Sequence, residues 1–424
     1  MNENIHDKFR NIRTDYSWSF SDKTRKDTTY ISHGYHRYPA KFIPQIVSRL
    51  LEEYTNIGDL IVDPLGGCGT TLVESKVMGR QSVGVDINPV AVLITNAKIN
   101  PIEPILIEQS FINLKRKLNS YNKDEVIKAP DHERIDYWFK PEEKHKLAHI
   151  YSEISKLENN DIRNFFYCGF SNILRNCSIW LQKSNKPTRD LNKVPLDPIN
   201  AFNKQVKLML RGNHQFYKIL NERDYFNVNC QVYCTDARNV PVNDGSANMI
   251  ITSPPYVTSY EYADLHQLTS LWFGFAKDLS NFRKNFIGTS YHDKKELLLN
   301  SALAEKIRND LLIIDKRTSE EVSTYYSEMN QVFTEMKRIL KKGGKTCIVI
   351  GNTNLKGVSI LNAEVFTEQL LNIGMKETKI IKREIPSKNL PSIRDEKTGK
   401  FAKPSDKNKV SVYPTEYILI FEKQ

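Results

Sequence analysis

Residues 63–71 read Asp-Pro-Leu-Gly-Gly-Cys-Gly-Thr-Thr and lie between an apolar run and a segment of helical composition. Glycines between a strand and a helix let the backbone approach a ligand, because no Cβ stands in the way. Asp86 ends the next apolar run about 20 residues further on, where an acid accepts ribose hydroxyls in dinucleotide-type folds. The pattern predicts a nucleoside cofactor. Its spacing is not G-x-G-x-x-G, which argues against a nicotinamide dehydrogenase.

A second cluster, residues 252–256, reads Thr-Ser-Pro-Pro-Tyr and follows the apolar run Met249–Ile251. Two consecutive prolines prevent the strand from continuing, so they fix a rigid turn with a hydroxyl before it and an aromatic ring after it. Catalytic groups in open α/β sheets gather at the carboxyl ends of strands. The cluster therefore predicts a catalytic turn, and a rigid turn without chemistry is the simpler alternative.

Together the two clusters resemble the motifs of the S-adenosylmethionine-dependent DNA amino-methyltransferases of restriction–modification systems. In that family D-P-F-x-G-x-G-T binds the cofactor and [S/D/N]-P-P-[Y/F] is catalytic; Leu65 stands where phenylalanine is common. Residues 36–44, residues 85–89 and the pair Asp236-Ala237 look like three further family blocks. The resemblance covers most of residues 33–100 and 228–424. It implies that S-adenosylmethionine is bound by Tyr38, Pro39, Lys41, Asp63, Pro64, Gly66, Gly67, Gly69, Thr70, Asp86, Asn88, Asp236 and Ala237.

The resemblance also implies how the reaction is catalysed. A sulfonium already activates the methyl group, so the difficulty lies with the exocyclic amine, whose lone pair is shared with the ring. Hydrogen-bond acceptors aimed at its N–H groups localise that lone pair, and the base must first leave the duplex, at a cost of a few kcal/mol. By resemblance the acceptors are the Ser253 hydroxyl and the Pro254 carbonyl. Pro255 completes the catalytic turn, and Tyr256 offers a face for the flipped base. No metal is required.

Serine before Pro-Pro-Tyr is the cytosine-N4 form of the family motif, whereas aspartate or asparagine is more usual in adenine-N6 enzymes. The expected function is a site-specific methyltransferase acting on cytosine N4 in double-stranded DNA. A restriction endonuclease that acts on the same site is the expected partner. The alternatives are an adenine-N6 enzyme, an RNA exocyclic-amine methyltransferase and a catalytically idle DNA-binding protein. Intact Ser253 and Tyr256 argue against the idle protein, and no RNA-binding module is visible.

The segments that must position these residues alternate between apolar runs and helical patterns. This alternation predicts a doubly wound, mostly parallel sheet, which the resemblance identifies as a Rossmann-like methyltransferase sheet with an antiparallel last strand. Gly343-Gly344 is expected to stop the helix 325–340, which precedes the strand 346–350. The predicted strands are 60–62, 81–85, 249–252, 346–350, 378–385 and 416–421, the last two as a hairpin, and the predicted helices are 70–78, 325–340 and 363–372.

Helical spacing dominates the middle of the chain, where residues 144–157 carry Leu147, Ile150, Ile154 and Leu157 on one stripe. We therefore divide the chain into three parts. Residues 1–100 form an N-terminal block with the cofactor-binding half, residues 101–225 a largely helical insert that is a candidate for target recognition, and residues 226–424 the catalytic half. The insert contains a basic loop with Lys183, Lys186, Arg189 and Lys193.

DNA contacts are also expected from the stretch 257–317 and from a second basic loop, residues 386–411. The residues predicted to bind DNA in this second loop are Lys388, Arg394, Lys397, Lys400 and Lys403. Phosphate contacts of this kind position a duplex without reading its sequence.

The composition agrees with a polyanionic partner. The chain has 424 residues, a formal net charge of +11 and a pI of about 9.1. Mean hydropathy is -0.50. No apolar run is long enough to span a bilayer and no signal peptide is visible, so we expect a cytoplasmic location. Cys230 and Cys234 are the closest cysteine pair among six. We expect them to be ordinary buried thiols, because no second pair stands at zinc-ligand spacing.

Overall fold

The structure is a computed structural model of the whole chain. It describes residues 5–39, 41–182, 184, 186–257, 262–289, 297–385, 393–395, 405–406, 409–411 and 415–424, with only the backbone described in 393–395 and 409–411.

A seven-stranded sheet forms the centre of the molecule, in the order β3-β2-β1-β4-β5-β7-β6. Strands β1 to β6 run parallel to one another, and β7 is antiparallel to both its neighbours. This topology confirms the expected fold class, including the antiparallel last strand and its hairpin with β6. The strands are β1 Leu60–Asp63, β2 Gln81–Asp86, β3 Cys230–Cys234, β4 Ala247–Thr252, β5 Leu340–Ile350, β6 Met375–Glu384 and β7 Thr415–Lys423.

Helices cover both faces of the sheet. Apolar residues along β4 alternate between the faces: Ile250 packs with α14–α16, whereas Met249 and Ile251 pack with α3. The helices are α1 Ile5–Asn11, α2 Arg25–Thr28, α3 Pro44–Tyr54, α4 Thr70–Val77, α5 Pro89–Ile99, α6 Pro104–Asn119, α7 Glu133–Trp138, α8 Pro141–Ser155, α9 Asn160–Ile173, α10 Pro198–Arg223, α11 Tyr262–Leu265, α12 Gln267–Trp272, α13 Leu279–Lys284, α14 Ala302–Ile314, α15 Lys316–Ile339 and α16 Asn362–Asn372.

The middle of the chain is helical from α6 to α10 and contributes no strand to the sheet among the residues that the structure describes. Its apolar core is continuous with α5 and α12, because Ile94 and Trp272 belong to the same buried cluster as Leu147 and Phe166. The helical region is therefore packed firmly onto the cofactor half of the sheet.

Two expectations about local structure were wrong. Helix α15 starts at Lys316, nine residues earlier than predicted, and β5 begins at Leu340 directly after it. Ala247 pairs with Leu340 but Met249 pairs with Lys345, so the residues up to Gly344 form an excursion within the strand. Gly343 has a positive φ of 76°, which makes this tight excursion favourable for glycine.

The second error concerns the cysteine pair on β3. Cys230 is half-buried and Cys234 is exposed. Among the described residues, β3 is the edge strand of the sheet, and no strand pairs with its outer side.

Within the described parts of the chain, no helix is long and apolar enough to cross a membrane.

Candidate functional site

A cavity of about 950 Å³ opens at the carboxyl ends of β1, β2, β3 and β4. Ligand sites favour this edge of an open α/β sheet. The cavity collects most of the predicted site residues. Those in its wall are Tyr38, Lys41, Pro64, Gly66, Gly67, Thr70, Asp86, Asn88, Asp236, Ala237, Ser253 and Pro255.

The glycine-rich loop closes one side of this cavity. Gly66 donates its N–H to the Val85 carbonyl at 2.8 Å, so the loop lies against the end of β2. Gly69 has a φ of 73° and caps the start of α4, and a Cβ there would lie 2.6 Å from the Thr95 side chain. Gly67 stands against the Tyr38 ring. The backbone thus passes close to the cavity, and the first turn of α4 points its N–H groups in that direction.

Asp86 presents a carboxylate at the end of β2. Its Oδ2 accepts the Gly67 N–H at 2.9 Å and its Oδ1 accepts the Asn88 N–H at 2.8 Å. Burial raises the pKa of Asp86 to about 6. Each carboxylate oxygen can accept a further hydrogen bond. The residue is therefore held rigidly and suits a pair of hydroxyl groups such as those of a ribose.

The cavity wall also contains a cation. Lys41 donates from Nζ to the His33 carbonyl at 2.9 Å, and burial lowers its pKa. Beside it the Tyr38 ring stacks on the Tyr262 ring, with centroids 5.8 Å apart. The cavity wall therefore carries both carboxylates and an ammonium group.

Asp236 borders the cavity beyond β3. Its carboxylate is held by Arg238, with Nη2 to Oδ2 at 2.6 Å and Nε to Oδ1 at 2.9 Å. Burial alone would raise the pKa of Asp236, but the hydrogen bonds and charge of Arg238 outweigh it and lower that pKa. Arg238 also reaches Glu328 at 3.1 Å. Asp236 stays ionised and fixed in position.

Asp63 lies behind the cavity wall. It is only 2% exposed, and its Oδ2 accepts the Thr71 hydroxyl at 2.7 Å. The Leu65 N–H donates to Oδ1 at 3.2 Å. Burial raises the pKa of Asp63 to about 6. These contacts tie the end of β1 to α4, so the carboxylate holds the glycine-rich loop from behind.

The residues that line the cavity do not include four other predicted site residues, namely Pro39, Gly69, Pro254 and Tyr256.

Ser253 occupies the wall where β4 ends. Its hydroxyl donates to the Val349 carbonyl of β5 at 3.1 Å. This bond uses the one hydroxyl proton, so the oxygen lone pairs remain available as acceptors. The following turn is fixed by Tyr325, whose hydroxyl donates to the Pro255 carbonyl at 2.7 Å.

Tyr256 is anchored on the neighbouring strands. Its hydroxyl donates to Glu416 Oε2 at 3.2 Å, at the start of β7. Glu416 in turn pairs with the buried Arg383, which donates to the Trp18 carbonyl at 2.7 Å. A Cβ at Gly351 would lie 3.0 Å from the Tyr256 hydroxyl oxygen, so a side chain there would displace the ring by a few tenths of an ångström.

The predicted DNA-binding loop falls largely outside the described residues, which applies to Lys388, Lys397, Lys400 and Lys403. For Arg394 the structure gives the backbone alone, in a short antiparallel pair with Val410.

The sequence motifs missed a third wall of the cavity. It is built by α11 and by the residues after α13, namely Tyr262, Asn285, Phe286, Ile287 and Thr289. These residues lie in the stretch 257–317, for which DNA contacts were expected. The one sequence signal for this wall was its position in the chain, because the residues that follow the catalytic turn start at the carboxyl edge of the sheet.

Comparisons with known proteins agree with this geometry. A family model described as DNA methylase matches residues 3–97 and 247–424, more than half of the chain. The chain is 26% identical over 423 residues to the type II methyltransferase M.MvaI of Kocuria varians, covering 92% of this chain and 93% of that one. It is 23% identical to the type II methyltransferase M.BsoBI of Geobacillus stearothermophilus, covering 82% of this chain and 79% of that one.

Solved structures give a weaker likeness. A SAM-dependent methyltransferase from Methanosarcina mazei is 10% identical, with a TM-score of 0.31 over 92% of this chain and 98% of that one. A TehB-like SAM-dependent methyltransferase from Corynebacterium glutamicum is 8% identical, with a TM-score of 0.28 over 89% and 87% of the two chains. With TM-scores this low, neither structure contributes to the interpretation of the site.

Proposed function

The chain belongs to the DNA methylase family that acts on N6 and N4 amino groups, and on that basis we propose that it methylates cytosine N4 in duplex DNA. The enzyme is S-adenosylmethionine-dependent. By analogy with its type II relatives, we propose that it works beside a restriction endonuclease that acts on the same site.

The donor set of the cavity fits this cofactor. S-adenosylmethionine, when bound, supplies a methyl group activated by a sulfonium. The Asp86 carboxylate would accept the ribose hydroxyls, and Asp236 with Ala237 would border the adenine. Lys41 would attract the methionine carboxylate. The glycine-rich loop suits close backbone contact, since Gly67 has a φ of 50°, a conformation that residues with a side chain rarely adopt.

The single observation that carries the proposed reaction is the hydrogen bond from Ser253 to the Val349 carbonyl. Because the hydroxyl proton is already donated, the Ser253 oxygen can only accept from a group in the cavity. An exocyclic amine has N–H donors and a delocalised lone pair. An acceptor fixed at this position localises that lone pair before the methyl transfer.

The preference for cytosine over adenine is supported by the serine before Pro-Pro-Tyr. Tyr256 provides a ring for the flipped base, worth about 1–3 kcal/mol per stacked base in single-strand binding. Its hydroxyl bond to Glu416 fixes the ring before the base arrives, so little side-chain entropy is lost on capture.

We further propose the division into residues 1–100, 101–225 and 226–424, with the helical insert as a target-recognition region. The basic loop 386–411 is proposed to hold DNA phosphates through Lys388, Arg394, Lys397, Lys400 and Lys403. Supporting this proposal, β6 ends and β7 begins at the same edge of the sheet as Ser253, and the loop connects these two strands in the sequence.

The test is a methylation assay with tritiated S-adenosylmethionine and either duplex DNA or total RNA. Nucleoside analysis of the digested product then identifies the modified base. The expected result is label in DNA as N4-methylcytosine. N6-methyladenine would overturn the base assignment, label only in RNA would overturn the substrate class, and no label in either would mean an idle protein. DNA from cells carrying the gene should resist the partner endonuclease at the methylated site.

A further inference from the structure

A hairpin-like loop projects from the helical region between α9 and α10. Trp180 and Arg189 form an antiparallel bridge, and the Leu181 N–H donates to the Thr188 carbonyl at 2.8 Å. The Lys193 ammonium group stabilises the base of this loop by donating to the Trp180 carbonyl at 2.9 Å. These bonds give a surface loop a defined backbone, and such preorganisation is typical of loops that bind a ligand.

The loop displays cations in fixed positions. Lys186 lies exposed near its tip. The exposed Arg189 guanidinium sits 4.2 Å from the centroid of the Tyr137 ring, and Arg134 approaches the same ring at 5.2 Å. Tyr137 is itself 43% exposed. Stacking on this ring holds the Arg189 guanidinium at the surface without neutralising its charge, whereas Arg134 is half-buried and also donates to Gln267 Oε1 at 3.3 Å.

A surface groove lies beside this cluster, because Arg134 belongs to both. Its walls are residues 132–134 at the start of α7 and residues 277–280 with Arg283 around α13. Residues 285–287, directly after α13, line the catalytic cavity. Arg283 of the groove and Asn285 of the cavity wall are only two residues apart, so the groove lies next to the cavity.

The groove wall carries charges of both signs. Arg134 and the exposed Lys277 are its cations beside Arg283, which is already paired with Asp264. Two acids, Glu133 and Asp278, share the wall. Asp278 accepts the Ser280 N–H at 2.7 Å as the cap of α13, so that part of its charge is used locally. The loop beside the groove contributes two further cations, Lys186 and Arg189.

We infer that this basic band, defined by Arg134, Lys186, Arg189 and Lys277, contacts the phosphates of the duplex that flanks the target base. The inference rests on the proposed action on duplex DNA. A band of cations that begins at the cavity can hold the backbone while a base enters, and phosphate contacts fix the register of a duplex. A phosphate that approaches the groove also meets the two acids, so the contacts of Lys186 and Arg189 contribute most.

The experiment measures binding of the full chain to a random-sequence duplex between 50 and 200 mM salt. The test variant carries Lys186→Gln, Arg189→Gln and Lys277→Gln. The matched control removes three exposed lysines at the amino ends of β5 and β6, the edge opposite the cavity: Lys341→Gln, Lys342→Gln and Lys376→Gln.

Each phosphate contact that is lost reduces the slope of log K against log salt by about 0.9. Across this fourfold salt range, the affinity of the test variant should therefore fall about 40-fold less than that of the wild type. The control should keep the wild-type slope, and calorimetry should give both variants wild-type affinity for S-adenosylmethionine. Should the triple variant fail to fold, Lys186→Gln alone tests the same point with a slope change of about 0.9.

A test variant with the wild-type slope would overturn the inference, as would a control variant that loses as much slope as the test variant. A wild-type chain that shows no salt-dependent duplex binding would overturn it as well. The proposed function fails separately, because it requires label transfer to DNA, and that reaction is measured at low salt without reference to these variants.

Discussion

Replacing Ser253 with alanine tests the catalytic reasoning most directly. The substitution removes one acceptor from the cavity wall and leaves the prolines, the Tyr256 ring and the cofactor-binding loop in place. Ser253 lies beside the cavity but donates its proton to the Val349 carbonyl, so its only contribution to the reacting amine is to accept. We therefore expect Ser253→Ala to slow methyl transfer and to leave affinity for S-adenosylmethionine unchanged.

The magnitude follows from two separate losses. Deleting one preorganised hydrogen-bonding group in other enzymes costs about 2.7–4 kcal/mol, which corresponds to a rate roughly 10²–10³-fold lower. The Val349 carbonyl also loses its donor, which costs about 1 kcal/mol of folding free energy. The second loss lowers the free energy of unfolding but does not change the rate per folded molecule.

The assay is single-turnover transfer of tritiated methyl to duplex DNA, with the folded fraction measured on the same samples. Ser246→Ala is the matched control. Its hydroxyl donates to the Asn243 carbonyl at 2.7 Å at the other end of β4, so it loses the same kind of bond away from the cavity. A wild-type rate for Ser253→Ala, or an equal loss for Ser246→Ala, would refute the acceptor role.

Three further outcomes are expected. Asp86→Ala should weaken S-adenosylmethionine binding by about 1.5–3 kcal/mol, because the ribose hydroxyls lose a charged acceptor; unchanged affinity by calorimetry would reject the role. Burial raises the folded-state pKa of Asp63 from 3.8 to about 6, so the folded chain binds a proton that the unfolded chain has released. The free energy of unfolding should then fall by up to about 3 kcal/mol as pH rises from about 4 to 6, and denaturation of Asp63→Asn should lack this component. Tyr256→Phe and Glu416→Gln should each slow methyl transfer and should not be additive in a double-mutant cycle; additive effects would mean that the two act separately.

Strand positions were predictable from the sequence because burial on both faces makes them apolar throughout. The run Met249–Ile251 is an example, since its residues point alternately to two different helical layers. The start of α15 was not predictable to the same degree. Its first turns carry charged residues, and Asp315 caps the helix through the Thr318 N–H at 3.1 Å, a local signal that the apolar periodicity of residues 325–340 does not contain.

The site was predictable where the backbone itself is special, as at Gly67 and at the turn after Ser253. The site was less predictable where two residues of the same type have different roles. Asp63 and Asp86 both end an apolar strand and both have raised pKa values. One faces Thr71 behind the loop and the other faces the cavity. Only the packing of α4 against β1 separates these roles, and no local pattern encodes that packing.

The catalytic turn also depends on partners that lie far away in the sequence. Ser253 is held by a carbonyl 96 residues further on, and Tyr256 by a carboxylate 160 residues further on. The sheet order β4-β5-β7 brings these partners to the turn, since each lies at the same edge of an adjacent strand. Four consecutive residues can therefore indicate the type of reaction, but the antiparallel β7 supplies the carboxylate that fixes the Tyr256 ring. A change of strand order would leave the motif intact and its tyrosine without an anchor. The insertion of β7 between β5 and β6 thus supports the proposed catalytic turn as well as the fold.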